Sequence, residues 1–598
     1  MKSGISCFNR GVSRDLLHRF WPLWVGYGVL LLFLLPVQLA RASSWMDEAV
    51  ALNLQRMTLQ GGEAMVWISF FMAILTAMVV FGYLYNSRSC GLMNSLPIRR
   101  ETMFLTAWLT GLWPMLAADL LTALLTGALY LGRGLLLRDL LAWLLTALGT
   151  NLAFYGIAAF CAMLTGSLLM LPVAYLALNL AAWAAEGCLR TLLRALVYGI
   201  NTQGNSWFTW LSPVIWMSGE VYMGRSLPDL EWQLFGLGWV AVYAALGIVL
   251  SALALLLYRK RQMECAGDTV AFPVLKPIFR YCMALGGALV LASSVYSLIL
   301  GGSFHGRRAA FLILGLLLLG AALGWYIAEM LIRRSVRVFP GKWRGLAVVC
   351  ALLCLLTLAA EYDLTGFERR VPDPAELEKV SILLPEPAEL HEPENLRRVT
   401  QLHRDLVEHK EIHEGEIHYF GEWIRLRYEM KDGSSLERAY FLQCYESPEP
   451  EDVDNWEELL NCHELLDQRD LVPVSVTEKT FYAAQLSYVH SDPSGWEMVD
   501  TRNLTTEEAL DFYYSAVLPD RLAYTLGRRW LRGDGRRLDV LSNVSFHMDL
   551  LQTGSGGGER MYYLDLEIGM DSEACLAWIR EHTDIPIQTL RELNAPMA

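Results

Sequence analysis

Few side chains in this sequence have the types and spacing that chemistry requires. His409 and His413 lie four residues apart in HKEIHEGEIH, with His418 after them, which could place two imidazoles on one helix face for a metal ion. The sequence is not H-E-x-x-H, because Lys410 occupies the position of the glutamate, and we interpret these histidines as solvated polar residues. We therefore expect no metal site and no cofactor.

Nucleotide-binding and nucleophile motifs are missing from the sequence as well. No G-x-x-x-x-G-K-[S/T] occurs, and the Gly-Lys pair at Gly341-Lys342 is followed by Trp343. The chain therefore lacks the usual loop that cradles ATP phosphates. A G-x-S-x-G elbow and a spaced Ser/His/Asp set are lacking too. We predict that the chain has no catalytic residue, is not an enzyme, and depends on a partner chain for any ATP hydrolysis.

One carboxylate lies deep in a long apolar stretch. Asp119 is near the middle of residues 103–131, with no Arg or Lys at the same depth. Charges at such depth often mark a translocation path, so Asp119 is a candidate for a path-lining or gating residue. The alternative is a structural contact with hydroxyls such as that of Thr122. Glu329 has a simpler explanation, since Arg333 lies four residues later at the predicted interface.

The composition explains why so few polar residues are available. The chain has 598 residues, of which 54% are hydrophobic and 19% charged, and its mean hydropathy is +0.31. These values exclude an ordinary soluble enzyme and indicate a membrane protein. Since about 20 apolar residues cross a bilayer as a helix, nine stretches qualify. They are 21–40, 64–85, 103–131, 140–160, 166–185, 234–257, 281–301, 309–331 and 345–361.

The charges predict the orientation of these stretches. The N-terminal segment carries Lys2, Arg10, Arg14 and Arg19 and lacks a cleavable signal, so we expect it to stay cytoplasmic. The first 362 residues hold 26 Lys+Arg, of which 17 fall in the predicted cytoplasmic segments and 26 − 17 = 9 in the outer ones. Nine crossings place the C-terminal region outside, and we predict a multi-pass protein of the plasma membrane.

The domain organisation follows from the same division. We predict a six-helix membrane core at 1–260, three additional transmembrane helices at 261–361, and an extracytoplasmic α+β domain at 362–598. The last domain holds 23 Lys+Arg against 47 Asp+Glu, a balance of 23 − 47 = −24, which argues against nucleic-acid binding. The fold class is thus an α-helical polytopic membrane protein of about nine transmembrane helices with a C-terminal extracytoplasmic α+β domain.

Local patterns predict several elements of that domain. Asp432-Gly433 between two aromatic-rich runs indicates a hairpin over 417–428 and 436–445. Helices are predicted at 454–467, at 505–516 behind a capping box of Thr505 and Glu508, and at 573–582. A second strand pair is expected at 538–550 and 562–568. We see no internal repeat.

The loop between the second and third stretches is the strongest candidate for a docking surface. It reads SRSCGLMNSLPIRRETMFLTAWL, where Leu96-Pro97 is expected to end one helix. Ile98-Arg99-Arg100-Glu101 would then start another helix that lies at the membrane surface. The alternative is that Arg99 and Arg100 are only positive-inside anchors.

The segment SLPIRRETMFLTAW resembles the Leu-Pro-x-x-Arg-Arg/Lys-Glu signature of ABC-2 type transporter permeases. Two later stretches, Tyr258 to Tyr281 and Ala328 to Gly345, resemble loops of Gram-positive ABC permeases that add three helices and a C-terminal extracytoplasmic domain. The N-terminal SCFNRGVSRDLLHRFWPLW is similar to the interfacial elbow helix of that family. The resemblance covers residues 1 to about 362 and is loose in the C-terminal region.

This resemblance implies a function and partners. The ATPase-coupling loop would be Leu96, Pro97, Ile98, Arg99, Arg100 and Glu101. A separate cytoplasmic ATPase would press on it, and a second permease subunit, like or unlike, would complete the transporter. ABC-2 permeases are mostly exporters, of peptides, antibiotics or lipid-like compounds. The main alternative is a membrane sensor or scaffold whose outer domain binds an envelope component or antibiotic. An envelope hydrolase in the C-terminal region lacks visible catalytic residues.

Overall fold

The chain is mostly helical in its first 361 residues and contains all of its larger sheets after them. The computed structural model describes residues 8–43, 50–226, 231–299, 306–336, 343–383, 387–410, 421–443, 450–468, 476–491, 497–531, 536–553 and 559–593. His413, His418 and the Gly341-Lys342 pair lie outside these residues.

Eight helices among the described residues are long and apolar enough to cross a membrane. They are α1 (Arg10–Arg41), α2 (Asn53–Val80), α4 (Arg100–Arg133), α5 (Leu137–Leu164), α8 (Leu237–Lys260), α9 (Leu275–Ile299), α10 (Arg308–Arg333) and α11 (Trp343–Glu361). Three shorter or more polar helices lie between them: α3 (Ser87–Ser95), α6 (Met170–Leu196) and α7 (Pro213–Glu220). A small hairpin of β1 (Met223–Ser226) and β2 (Glu231–Leu234) precedes α8.

The fifth of the nine predicted stretches, 166–185, differs from the other eight. It corresponds to α6, which has 27 residues and is long enough to cross a bilayer, but α6 is not among the eight apolar helices. Asn179 and Glu186 lower its hydropathy. The Glu186 carboxylate is buried near the end of the helix, where it accepts from Trp207 N at 3.0 Å and Phe208 N at 2.9 Å. The helix also includes residues 190–196.

Helix α1 contains a kink that separates a polar from an apolar part. Phe20 has φ −123° and ψ 18°, and Pro22 removes a backbone donor just after it. The first part, from Arg10, is amphipathic, and the apolar part follows the kink. The division agrees with the predicted start of the first stretch at residue 21.

By internal contacts the chain divides into two compact units. The first comprises residues 1–189, 205–294 and 315–353, and the second comprises 190–204, 295–314 and 354–598. In the first unit, the tightest helix pair is α5 with α8. Gly156 and Gly247 face each other there, and a side chain at Gly247 would meet the Leu152 carbonyl oxygen at 2.5 Å. The glycines therefore allow the two backbones to touch.

The C-terminal region contains two four-stranded antiparallel sheets. The first is built from β3 (Leu377–Leu383), β4 (Pro387–Leu390), β5 (Gly421–Met430) and β6 (Ser435–Gln443). The second is built from β7 (Phe481–Ser491), β8 (Glu497–Asn503), β9 (Leu541–Thr553) and β10 (Glu559–Gly569). The helices of this region are α12 (Pro393–Glu408), α13 (Pro450–Leu460), α14 (His463–Gln468), α15 (Thr506–Phe512), α16 (Leu518–Leu522), α17 (Arg536–Val540), α18 (Glu573–His582) and α19 (Leu590–Leu593).

The two sheets repeat one topology, which corrects our expectation of no internal repeat. Each begins with a hairpin, continues with a helical segment, adds a second hairpin and ends with a helix. The strand orders are β4-β3-β5-β6 and β8-β7-β9-β10, so in both sheets the first strand pairs with the third. Each repeat also has its own hydrophobic core. The region is therefore two structural repeats of the same ββαββα unit.

Several local predictions for this region are confirmed. Gly433 takes φ +82° in the turn between β5 and β6, where a residue with a side chain would be strained. Thr505 and Glu508 form the predicted capping box. The second strand pair is β9 with β10, and α18 occupies the predicted residues 573–582. The predicted helix over 454–467 is divided at Asn461-Cys462 into α13 and α14.

Candidate functional site

The predicted coupling loop is a short helix followed by an extended break. Helix α3 begins behind Asn86, whose Oδ1 accepts from Arg88 N at 3.0 Å, and ends at Ser95. Leu96 is extended, and α4 begins at Arg100. The break predicted at Leu96-Pro97 is present. The separate helix, however, precedes Pro97 instead of following it, since the residues after it join the long helix α4 directly.

Arg100 and Glu101 are held by the end of α8. The Arg100 guanidinium donates to the carbonyl oxygens of Arg259 at 3.2 Å and Arg261 at 3.1 Å. Glu101 pairs with the Arg259 guanidinium at 2.5 Å. Carbonyl groups in the last turn of a helix lack partners within the helix, so Arg100 caps α8 and also neutralises the negative end of its dipole.

A second arginine, Arg261, caps the end of α5 in the same way. Arg261 is buried, and its guanidinium donates to the carbonyl oxygens of Ala162 at 2.8 Å and Met163 at 3.0 Å, in the last turn of α5. It also lies over the ring of Tyr85, 5.8 Å from the ring centre. Sequence reasoning counted Arg259 and Arg261 only as positive-inside charges. The signal for a capping role was their place at the end of an apolar stretch.

The turn after α5 joins the same group of contacts. Gly267 N donates to the Gly166 carbonyl oxygen at 2.6 Å, Ala271 N donates to that of Leu164 at 2.8 Å, and Thr165 bridges Val270. The ends of α4, α5 and α8 are therefore connected by direct hydrogen bonds. We call the loop from Ser87 to Glu101, the turn 165–169 and the loop 261–274 the loop surface.

Apolar side chains on the loop surface are exposed. Leu92 is 69% exposed and Leu169 is 82% exposed. The other large apolar side chains exposed there are Leu96, Leu168 and Val274. Arg99 is exposed, and its side chain has no hydrogen bond or ion pair within the described part of the chain. Exposed apolar side chains that are grouped on surface loops are typical of protein-docking surfaces.

Asp119 is fully buried in a triangle of three side chains. Tyr27 Oη donates to Asp119 Oδ1 at 2.7 Å, and Asn151 Nδ2 donates to Oδ2 at 2.8 Å and to Tyr27 Oη at 2.8 Å. The triangle joins α1, α4 and α5. Its members correct the predicted alternative partner: Thr122 is also buried, but the hydrogen bonds of Asp119 go to Tyr27 and Asn151.

The structure does not bring the two groups of predicted site residues together. Glu101 and Asp119 lie on the same helix, 18 residues apart, which corresponds to about 27 Å at the rise of an α-helix. Asp119 therefore contributes to helix packing at depth, while Leu96 to Glu101 lie at one helix end. Glu329 pairs with Arg333 at 2.8 Å, as predicted, and also with Arg280 on α9 at 2.5 Å.

The first repeat of the C-terminal region has a polar centre. His403 Nε2 lies 2.7 Å from Tyr440 Oη, and its Nδ1 lies 2.9 Å from Tyr428 Oη. Burial, followed by the positive charge of Arg438, lowers the pKa of His403 to about 3. The imidazole is therefore neutral at pH 7, with one nitrogen donating and the other accepting.

Residues 198–201 complete this repeat. Ala439 N donates to the Gly199 carbonyl oxygen at 3.1 Å, and Ile200 bridges Arg438, so this segment pairs with the free edge of β6. The Glu368 carboxylate accepts from Tyr198 N at 2.7 Å and from Lys410 Nζ at 2.7 Å. These contacts fix the segment after α6 to the first repeat.

Among the described residues, no group of three or more His, Cys, Asp or Glu is arranged to hold a metal ion. Comparison of the chain with protein-family models, with curated proteins and with solved structures finds no match. The functional argument therefore depends on the geometry of this chain.

Substitution of Asp119 distinguishes a packing role from a path-lining role. We expect Asp119→Ala to destabilise the protein by about 1–3 kcal/mol, because it leaves the buried Tyr27 hydroxyl and Asn151 amide without their acceptor. Asp119→Asn keeps a hydrogen-bonding side chain and should cost less. Thermal unfolding in detergent measures the difference, with Thr122→Val as the control. Unchanged stability of Asp119→Ala would contradict the packing role.

The buried histidine predicts acid sensitivity of the first repeat. The folded pKa of His403, about 3, lies below the unfolded value of about 6.5, so the unfolded state binds the extra proton between these values. Stability is then greatest above about pH 6.5 and falls as the pH decreases towards 3, by on the order of 2 kcal/mol at pH 5.

Hydrogen exchange of β5 and β6 in the full-length protein at pH 5 and 7.5, corrected for intrinsic rates, tests this expectation. His403→Gln should flatten the pH dependence, whereas His409→Gln, which removes an exposed histidine from the end of the same helix, should leave it unchanged. Equal pH dependence in wild type and His403→Gln would rule out His403 as its source.

Proposed function

We propose that the chain is the permease subunit of an ABC exporter of the ABC-2 type, located in the plasma membrane and powered by a separate cytoplasmic ATPase. The observation that carries the proposal is the arrangement of exposed and hydrogen-bonded residues on the loop surface. A short helix, α3, exposes Leu92 next to the Leu-Pro-Ile-Arg-Arg motif, which resembles the signature of ABC-2 type permeases. The motif's own Arg100 and Glu101 are engaged with α8, and its Arg99 is exposed.

This arrangement is suited to transmitting a force from the ATPase to the helices. Helix α4 is continuous from Arg100 to Arg133, so a force on Leu96 to Arg99 acts along its axis. Arg100 and Arg261 connect the start of α4 to the ends of α8 and α5. A displacement at the loop surface would therefore move several helices together, as rigid-body switching between inward- and outward-facing states requires.

Contacts on the loop surface support counting α6 as a ninth crossing. Residues 165–166 are hydrogen-bonded to residues 267–270, and the chain between them contains α6 and α8. Since α8 is a candidate span, the chain returns to the same side only if α6 crosses as well. The Glu101–Arg259 pair leads to the same count, with α4, α5, α6 and α8 between its members.

Nine crossings give the orientation of the C-terminal region. An odd number places residues 362–598 opposite the N-terminus, which the positive-inside bias makes cytoplasmic. The pairing of Ile200 with Arg438 fits this orientation, because the four candidate spans α8 to α11 separate the two residues. The two acidic repeats are then extracytoplasmic, and a second permease subunit completes the transporter.

The alternative function is a membrane sensor or scaffold. Two folded repeats with their own cores offer enough surface to bind an envelope component or an antibiotic. A sensor would bind such a ligand without moving a solute, whereas a permease would stimulate ATP hydrolysis by its partner and transport. The exposed apolar side chains of the loop surface favour the permease.

The count of crossings can be tested with epitope insertions in the full-length protein. An epitope after Gly204 should be accessible from outside intact cells, and one after Leu169 only after permeabilisation, because α6 lies between them. A cytosolic marker reports membrane integrity. Accessibility of both epitopes from the same side would mean that α6 does not cross.

The coupling role can be tested by purification of the protein with its partners from native membranes. We expect an ATPase with Walker motifs to co-purify with the wild type and to be reduced at least tenfold by Leu92→Glu with Arg99→Glu. Arg100 is left intact because its reversal would also remove the cap of α8. The control is Arg133→Glu, an exposed charge reversal at the far end of α4.

Two outcomes would contradict the proposal. Retention of the ATPase by the Leu92→Glu/Arg99→Glu variant would exclude the loop surface as the docking site. Purification of the wild type without any ATPase would favour the sensor. Size-exclusion profiles identical to the wild type would show that the variants are folded.

A further inference from the structure

A shallow cavity of about 410 Å³, open over most of its extent, lies on the outer face of the first part of α1. It is lined by Phe8, Arg10, Ser13, Arg14, Leu17, His18 and Trp21. The volume falls within the range of about 300–1,000 Å³ that is usual for small-ligand sites. It ends at the kink, where the apolar part of the candidate membrane-spanning helix begins.

The lining combines two arginines and a histidine with apolar side chains, and Arg14 Nε donates to His18 Nε2 at 3.5 Å. Arg10, Arg14 and His18 are spaced at i, i+4 and i+8, so they form one row along the helix. Phe8 and Trp21 are 37% and 57% exposed, at opposite ends of the cavity. The acidic residue of this helical part, Asp15, does not line the cavity. The site is therefore positively charged and amphipathic.

Polar contacts at the edge of the cavity, one of them made by the lining residue Ser13, hold this part of the helix in place. Asn9 N donates to Thr106 Oγ1 at 3.0 Å, and Thr110 Oγ1 donates to Ser13 Oγ at 2.9 Å. Leu16 is buried on the same side. The segment is thus fixed to α4, and Arg10, Arg14 and His18 are exposed. The cavity exists before any ligand binds, which reduces the entropic cost of binding.

We propose that this cavity binds the headgroup of an anionic phospholipid. The two guanidinium groups would pair with the phosphate, a geometry to which arginine is well suited. Leu17 and Trp21 would contact the glycerol and the upper acyl chains, since indole rings favour the membrane interface. The place of the cavity, where an amphipathic segment meets a spanning helix, selects a lipid over a soluble phosphate. The inference needs α1 in a bilayer but does not depend on an ATPase.

Native mass spectrometry of the full-length protein tests this proposal. The detergent-solubilised protein is incubated with equal amounts of phosphatidylglycerol and phosphatidylcholine, and the retained lipids are counted. We expect the wild type to retain phosphatidylglycerol preferentially. Arg10→Gln/Arg14→Gln should weaken that binding about 25-fold, or about fivefold for each arginine.

The matched control is Arg19→Gln. Arg19 belongs to the same helix and carries the same charge, but it lies over the Phe20 ring, 5.1 Å from its centre, and does not line the cavity. Its replacement should leave lipid retention unchanged. A loss of about fivefold from Arg19→Gln, equal to that from Arg10→Gln or Arg14→Gln alone, would reduce the effect to general charge attraction and overturn the site.

Other outcomes also decide the proposal. Competition by inorganic phosphate at millimolar concentration would mean that the cavity binds free phosphate instead of a lipid. Equal retention of both lipids by the wild type would mean that it does not select the headgroup. If the double variant is not recovered as a monodisperse protein, the single variants Arg10→Gln and Arg14→Gln carry the same test.

Discussion

The capping of helix carbonyl groups by arginine is the interaction on which the arrangement of the helices most depends. Four carbonyl groups at the end of every helix lack partners within it, and a helix end that is packed against other helices must satisfy them from elsewhere. Arg100 supplies donors to α8, and Arg261 supplies donors to α5. Because each arginine comes from another element, the caps also determine which helix ends lie together. The position of α3 and of Leu96 follows from these caps, since α4 starts at Arg100 itself.

Asp119 is an acceptor that needs donors in the interior of the helix bundle, where it is fully buried. A carboxylate removed from water is costly unless it is hydrogen-bonded, and one helix alone cannot supply the donors. Tyr27 and Asn151 do so from two other helices, and they also contact each other. Such a triangle stabilises one relative arrangement of α1, α4 and α5 and penalises others. The bundle is therefore specified by arginine caps at one end and by this triangle in its interior.

Sequence reasoning predicted best what depends on neighbours along the chain. The Asp432-Gly433 turn, the Thr505 capping box and α18 follow from local geometry, and they were confirmed. Pairings between strands that are distant in sequence were missed. Strand β3 pairs with β5, on the other side of α12, and no spacing in the sequence encodes this pairing. The internal duplication was missed for the same reason, because it is a repetition of pairing order. Arg261 was misread because a basic residue after an apolar stretch already has a sufficient explanation in membrane orientation.

The two repeats of the C-terminal region have the same topology but different centres. In the second repeat Phe512 packs against Phe546 and Trp578, with ring centres 4.9 and 4.7 Å apart. The Trp578 indole also donates to Asp511 Oδ2 at 2.6 Å. In the first, His403 occupies the helix side of the core and is hydrogen-bonded to two tyrosines. Strands β6 and β10 are the corresponding outer strands of the two sheets. Residues 199–200 pair with the edge of β6, next to Tyr440. Each repeat of the duplicated fold thus has its own hydrophobic core, and the first also uses the edge of β6 and its buried His403–Tyr440 contact where residues 199–200 pair with it.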